Sequence, residues 1–174
     1  MKAATIWLLS SVMLLCGLLT TELYAQRGLR FLENLTVYDG GGKKVGAVLG
    51  FIGHPPIPVV ALVKNDEIAL LIAWKDRIRG TESSFYFTTA NCTGTAYLPL
   101  RAEREPPTLV KNGLVYLPDS ALPPAAITVS SVLNSPGEAF ESCSQFSPFQ
   151  VTDAVPAKVL ADITGYFSPP FSVR

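Results

Sequence analysis

Residues 83–100 show most plainly the alternation of apolar and polar positions that runs along this chain. Phe85 and Phe87 alternate with Tyr86, and Ala96, Leu98 and Leu100 alternate with Thr95 and Tyr97, about a turn at Asn91-Cys92-Thr93-Gly94. A period of two places successive side chains on opposite faces of a pleated strand, so two strands and a hairpin are predicted here. The same pattern recurs upstream. Leu35 and Val37 alternate with Thr36 and Tyr38, and Asp39-Gly40-Gly41-Gly42-Lys43 makes a flexible turn. Val45, Ala47, Leu49 and Phe51 are then predicted to share one face of the returning strand.

His54-Pro55-Pro56-Ile57-Pro58 requires an extended connection, because proline fixes φ and bars helix at the residue before it. Residues 59–63 and 67–74 are nearly continuous apolar runs, broken by Lys64-Asn65-Asp66. Ile68, Leu70, Ile72 and Trp74 fall on one face, and Ala69, Leu71 and Ala73 on the other. This pair reads as central strands covered on both sides, with a helix over 67–75 as the competing assignment. Residues 76–82 read as a charged loop. Arg77 and Arg79 are equipped to hold a carboxylate or phosphate, and Asp76 and Glu82 offer them local ion pairs.

Further on, 109–117 is a hairpin about Asn112-Gly113, the strongest short turn signal. Residues 127–133 alternate as a strand, Ser135-Pro136-Gly137 turns the chain, and 138–146 brings Cys143 back toward Cys92. Another strand is predicted over 149–152, while 157–163 suits either a short helix or a strand. The stiff aromatic tail 166–171 is expected to fold back over a sheet edge, with docking to a partner as its alternative use.

The chain opens with the layout of a secretory signal peptide: Lys2, an apolar run over 6–19, the polar Thr20-Thr21-Glu22, and a cleavage point between Ala25 and Gln26. Residues 1–25 are therefore read as a leader and 26–174 as one β-rich exported domain. An uncleaved membrane anchor would need about 20 apolar residues, and the run is shorter and interrupted by Ser10 and Ser11. A lipoprotein anchored at Cys16 would want a small residue where Leu15 stands.

Export changes the meaning of the cysteines. With Cys16 lost in the leader, Cys92 and Cys143 form an even pair in a compartment where disulfides persist. Two buried free thiols, or a catalytic cysteine, are the alternatives. The second needs a base, and the only histidine, His54, lies in a Gly-His-Pro-Pro turn.

Composition narrows the function classes. Of 174 residues, 48% are hydrophobic and 16% charged, enough for a real core, and 14 prolines with 13 glycines spread along the chain favour short strands and turns over long helices. Basic and acidic residues balance at 14 each, so charge alone attracts neither nucleic acid nor an anionic membrane. A Gly-Lys-Ser/Thr phosphate loop, a Gly-x-Ser-x-Gly elbow, an EF-hand loop and a Cys/His cluster are all missing from the sequence. Glu103 and Glu105 come nearest to a carboxylate pair, but Arg101 and Arg104 beside them would keep both ionised. Asn34-Leu35-Thr36 and Asn91-Cys92-Thr93 match glycosylation acceptors, which would matter only in a eukaryotic secretory pathway.

Val-Tyr-Asp followed by Gly-Lys and Val-Gly over 37–46, Tyr-Phe-Thr-Thr-Ala-Asn-Cys-Thr-Gly-Thr-Ala-Tyr-Leu over 86–98, and Pro-Pro-Phe-Ser over 169–172 together resemble a family of exported bacterial β-rich proteins with no assigned activity. Its hairpins are similar to modules on surface or fibre proteins. The resemblance implies an extracytoplasmic β-rich domain and supplies no catalytic residue.

The expectation is thus an all-β chain: a single antiparallel sandwich or partly open barrel with one disulfide, Cys92 to Cys143, secreted or periplasmic and without a transmembrane anchor after cleavage. Its expected work is non-catalytic binding or scaffolding in the cell envelope. A protein or glycan partner is expected, with no cofactor, metal or nucleic acid, and Tyr38, Tyr86, Tyr97 and Tyr116 are candidate surface aromatics. The competing function is a hydrolase of a carbohydrate or cell-wall polymer whose carboxylates meet only in the fold.

Overall fold

A computed structural model describes residues 35–100, 107–134 and 140–174. The leader with Ala25, Gln26 and Cys16, the acceptor Asn34, the Arg101 to Glu105 group and the Ser135-Pro136-Gly137 turn lie outside the described residues. Every regular element among the described residues is a strand. The first six are β1 (Thr36–Tyr38), β2 (Lys44–Ile52), β3 (Ile57–Lys64), β4 (Glu67–Ala73), β5 (Ile78–Gly80) and β6 (Ser84–Phe87). The others are β7 (Tyr97–Pro99), β8 (Leu109–Lys111), β9 (Leu114–Pro118), β10 (Ala125–Asn134), β11 (Ser142–Asp162) and β12 (Ser172–Val173).

They form two six-stranded antiparallel sheets, ordered β12-β1-β2-β3-β4-β5 and β10-β6-β7-β11-β9-β8. The fold is all-β, as the alternation implies. Tight turns set the register of two hairpins. Asn112 and Gly113 have φ of 50° and 77°, and Asn65 and Asp66 have φ of 52° and 61°, the left-handed pairs that suit the right-handed twist of the strands they join. The second pair was legible only as a break between apolar runs.

Cross-strand partners carry the main core. Val48 faces Val60, Val60 faces Leu71 and Leu71 faces Gly80, a row across β2 to β5. Val115, Leu117, Leu160 and Ala161 of the second sheet pack against the same cluster. Gly80 is required at its end of the row, because a Cβ there would collide with the carbonyl oxygen of Thr108. Thr108 joins the sheets at that point. Its hydroxyl accepts from Leu70 N–H at 2.9 Å, its carbonyl accepts from Glu82 N–H at 2.8 Å, and its own N–H donates to Thr81 Oγ1 at 3.0 Å.

In the second sheet β10 pairs with β6, β6 with β7, β7 with β11 and β11 again with β10, so pairing closes on itself around four strands. A second small core takes a residue from each of them: Tyr86, Tyr97, Val129 and Ala154 pack together with Ile127, Val132 and Val151. β11 serves three neighbours, β10 over Ser142 to Ala154, β7 over Ala154 to Pro156 and β9 over Ala157 to Asp162. The separate elements expected at 149–152 and 157–163 are one continuous strand, and the helical option for 157–163 is overturned.

Other expectations need correction. Val45 is buried, but Ala47, Leu49 and Phe51 are exposed, so these four do not share a buried face. The register slips between Val37 and Tyr38 and again between Val48 and Gly50, and each slip turns the following side chains over. β3 and β4 are central, yet only one of their faces is fully covered. On the outer face Val59 and Leu70 are buried while the opposed pair Val63 and Ile68 stands 64% and 50% exposed. Residues 78–80 within the expected charged loop form the edge strand β5, where Arg79 lies opposite Ile72 with its guanidinium 5.9 Å from the Trp74 ring centroid.

The tail does fold back. β12 pairs with β1 as the outermost strand of its sheet, and Phe167 and Phe171 pack against the main core. Asp39 fastens it: buried in the β1 to β2 turn, its carboxylate accepts from Lys43 N–H at 2.7 Å and from Ser168 N–H at 3.0 Å. These backbone donors, Ser168 first, hold its pKa below the usual carboxylate value.

Candidate binding cleft at the seam of the two sheets

The sulfurs of Cys92 and Cys143 lie at bonding distance, 2.08 Å, with Cα atoms 6.0 Å apart. Cys92 sits at φ 54° in an exposed loop. That unfavourable conformation is held by Ser131 of β10, whose hydroxyl accepts from Cys92 N–H at 2.9 Å and donates to the Thr89 carbonyl at 2.6 Å. Leu133, two residues on, is paired with Cys143. One strand therefore presents both halves of the disulfide, and Ser131 carried no sign of this in the sequence beyond its place in an alternating strand.

His54 is exposed in the β2 to β3 turn, in the other sheet from the sulfurs. Arg77 lies 3.9 Å from Asp76, as the local ion-pair expectation has it. The four tyrosines are not surface rings. Each is half-buried, Tyr116 edge-on to Phe85 at 5.0 Å and Tyr86 edge-on to Phe149 at 6.5 Å, because alternate positions of β6, β7 and β9 face one core or the other. The exposed aromatic rings are instead Phe51, Trp74, Phe140, Phe146, Phe149 and Tyr166, which short-range alternation did not single out.

Two clefts are notable. One of about 300 Å³ lies beside the tail, between Asp76, Arg77, Phe167 and Phe171. The other, about 640 Å³, opens where the β3 to β4 turn of the first sheet meets the end of β9 and the adjoining part of β11. Its walls are aliphatic, with Ile68, Leu117, Leu122 and Pro124, and its rim carries Asp66, Glu67 and Asp119. Ile68 of β4 and Leu122 of the loop between β9 and β10 are 50% and 44% exposed.

The turn at Asn65-Asp66 sets Glu67 as the first residue of β4, and the turn after Pro118 sets Asp119 just past β9. Register places Lys158 opposite Leu117, between the two acids. Its ammonium lies 2.9 Å from Glu67 Oε1 and 3.4 Å from Asp119 Oδ1, and the Ser120 hydroxyl donates to the same Glu67 oxygen at 3.1 Å. The hydrogen bond to Glu67, followed by the attraction of both carboxylates, raises the Lys158 pKa.

Chemically, this arrangement is a clamp. One ammonium ties together two carboxylates that lie far apart in the sequence. No group of three or more His, Cys, Asp or Glu residues suited to a metal ion, and no helix long and apolar enough to cross a membrane, occurs among the described residues. Sequence reasoning missed Glu67, Asp119 and Lys158 altogether. They are 39 to 91 positions apart: the pairing of β9 with β11 sets Asp119 beside Lys158, and the packing of the first sheet on the second adds Glu67.

No protein family, curated protein or solved structure matches the chain.

Proposed function

We propose that this protein is a non-catalytic binding or structural module, exported to the bacterial envelope or cell exterior, that works through the seam cleft. The observation carrying this reading is the cleft itself: unpartnered aliphatic side chains from both sheets line an open cavity whose acids Glu67 and Asp119 are tied to Lys158. Apolar surface left in water at a concave site favours contact with a ligand. The ion pairs of Lys158 with Glu67 and Asp119 hold the shape of the cleft's rim. The cysteine pair suits an oxidising compartment, and the resemblance of the Cys92 hairpin to exported bacterial modules supports the same placement.

The test is incubation of the domain with arrays of glycans, peptides and envelope components. Retention of one ligand class, left chemically intact and bound more weakly by Leu122→Ser, is the expected result. No retained class, together with no partner in a cross-linking pull-down, would overturn the module reading. Consumption of an arrayed polymer, abolished by Glu67→Gln, would replace it with the hydrolase.

A further inference from the structure

We infer that the seam cleft is a docking groove for an extended peptide segment of a partner protein, one in which a lysine or arginine stands between apolar side chains. The inference rests on the binding-module reading and adds to it the chemical class of the ligand.

Charge selects the ligand's sign. Three carboxylates, those of Asp66, Glu67 and Asp119, stand on the rim; of the two lysines beside it, Lys158 is paired with Glu67 and Asp119, and Lys64, opposite Glu67 in register, also acts on Asp162. Lys158 is taken up between Glu67 and Asp119, which leaves the rim with an excess of negative charge and Asp66 exposed at its outer end. A basic side chain entering the groove meets that excess, whereas an acidic or phosphorylated one is repelled by it.

The walls select the rest. They are aliphatic with two prolines, and among the described residues no aromatic ring lines the groove, so a sugar would find no face to stack on there while leucine-like side chains would find matching surface. The apolar surface also runs beyond the groove. Ile68 at its lip is paired directly with Val63, which is 64% exposed on the outer face of the same sheet. A ligand that covers both is longer than a small molecule. An extended peptide, with side chains on alternate sides, places apolar groups on Ile68 and Leu122 while presenting a basic group to the rim.

Fluorescence polarisation with two synthetic peptides tests this: one alternates leucine with lysine, the other leucine with glutamate. The lysine peptide is expected to bind and the glutamate peptide to fail. Asp66→Asn, which suits the left-handed turn at φ 61° and removes only charge, is expected to weaken the lysine peptide by about threefold at low ionic strength and by less at high. Leu122→Ser is expected to weaken it by about tenfold at either. Thermal unfolding of each variant shows whether the fold is kept. Equal binding of both peptides, binding of neither, or indifference to both substitutions in folded protein would overturn the inference. If the arrays retain a glycan while neither peptide binds, the peptide inference falls and the module reading stands; if they retain nothing, both fall.

Discussion

Ser131 is fully buried, and its hydroxyl joins the part-buried Thr89 carbonyl and Cys92 N–H beside the disulfide, two groups left without that partner if the hydroxyl is removed. Ser131→Ala is therefore expected to cost about 1–3 kcal/mol, the penalty for stranding part-buried polar groups, measured by denaturant unfolding. Thr108→Val keeps the shape but withdraws the acceptor from Leu70 N–H, with a similar expected loss. Gly80→Ala drives a methyl into the Thr108 backbone, which cannot move without separating the sheets, and about 1–3 kcal/mol of overpacking is the expected minimum. Cys92→Ser with Cys143→Ser reopens a connection of 51 residues and is expected to cost about 4 kcal/mol in the chain-entropy account. At this scale the sequence revealed the cysteines, because reading residues 1–25 as a leader leaves an even pair with few alternatives. It did not reveal Ser131 or Thr108, since a hydroxyl in a strand looks the same whether it faces water or a buried amide.

Strands were mostly legible, and their faces less so. Asn112-Gly113 announces its hairpin because few residue pairs accept two consecutive positive φ values. The faces of β2 were misjudged because a one-residue slip is a property of pairing and leaves no mark in a single strand's pattern. The continuity of β11 was hidden for a related reason: Pro148 and Pro156 look like breaks, yet proline is tolerated where a strand leaves an edge or a partner asks for no N–H. The tail behaves as expected, and Asp39 makes its hold depend on pH. A carboxyl whose folded pKa lies below its unfolded value contributes fully above the unfolded value of about 3.9 and loses that contribution as pH falls through the folded value. Amide exchange over Thr36–Tyr38 is expected to accelerate below about pH 4, and Asp39→Asn should remove most of that pH dependence while loosening β12 at neutral pH.

For the whole molecule, the two sheets are joined at one place by Thr108 and at another by Lys158, and function is read from the second. A lysine whose folded pKa is raised contributes fully below the unfolded value of about 10.4 and is lost as pH rises through the folded value. Lys158→Met should thus lower the melting temperature at neutral pH, where Glu67 and Asp119 are left facing each other. The gap from the natural protein should narrow in alkali, as parallel melts across pH would show. None of the seam was readable beforehand, because Asp119 and Lys158 meet only through the register of β9 on β11, and Glu67 joins them only when the other sheet packs on. The pairing of β12 with β1 has a further consequence. Thr36 and Arg174 exchange two backbone hydrogen bonds of 2.9 Å. A short linker joining these two residues would therefore let residues 36–174 be circularly permuted, or inserted into a host protein's surface loop, with the cleft still facing outward.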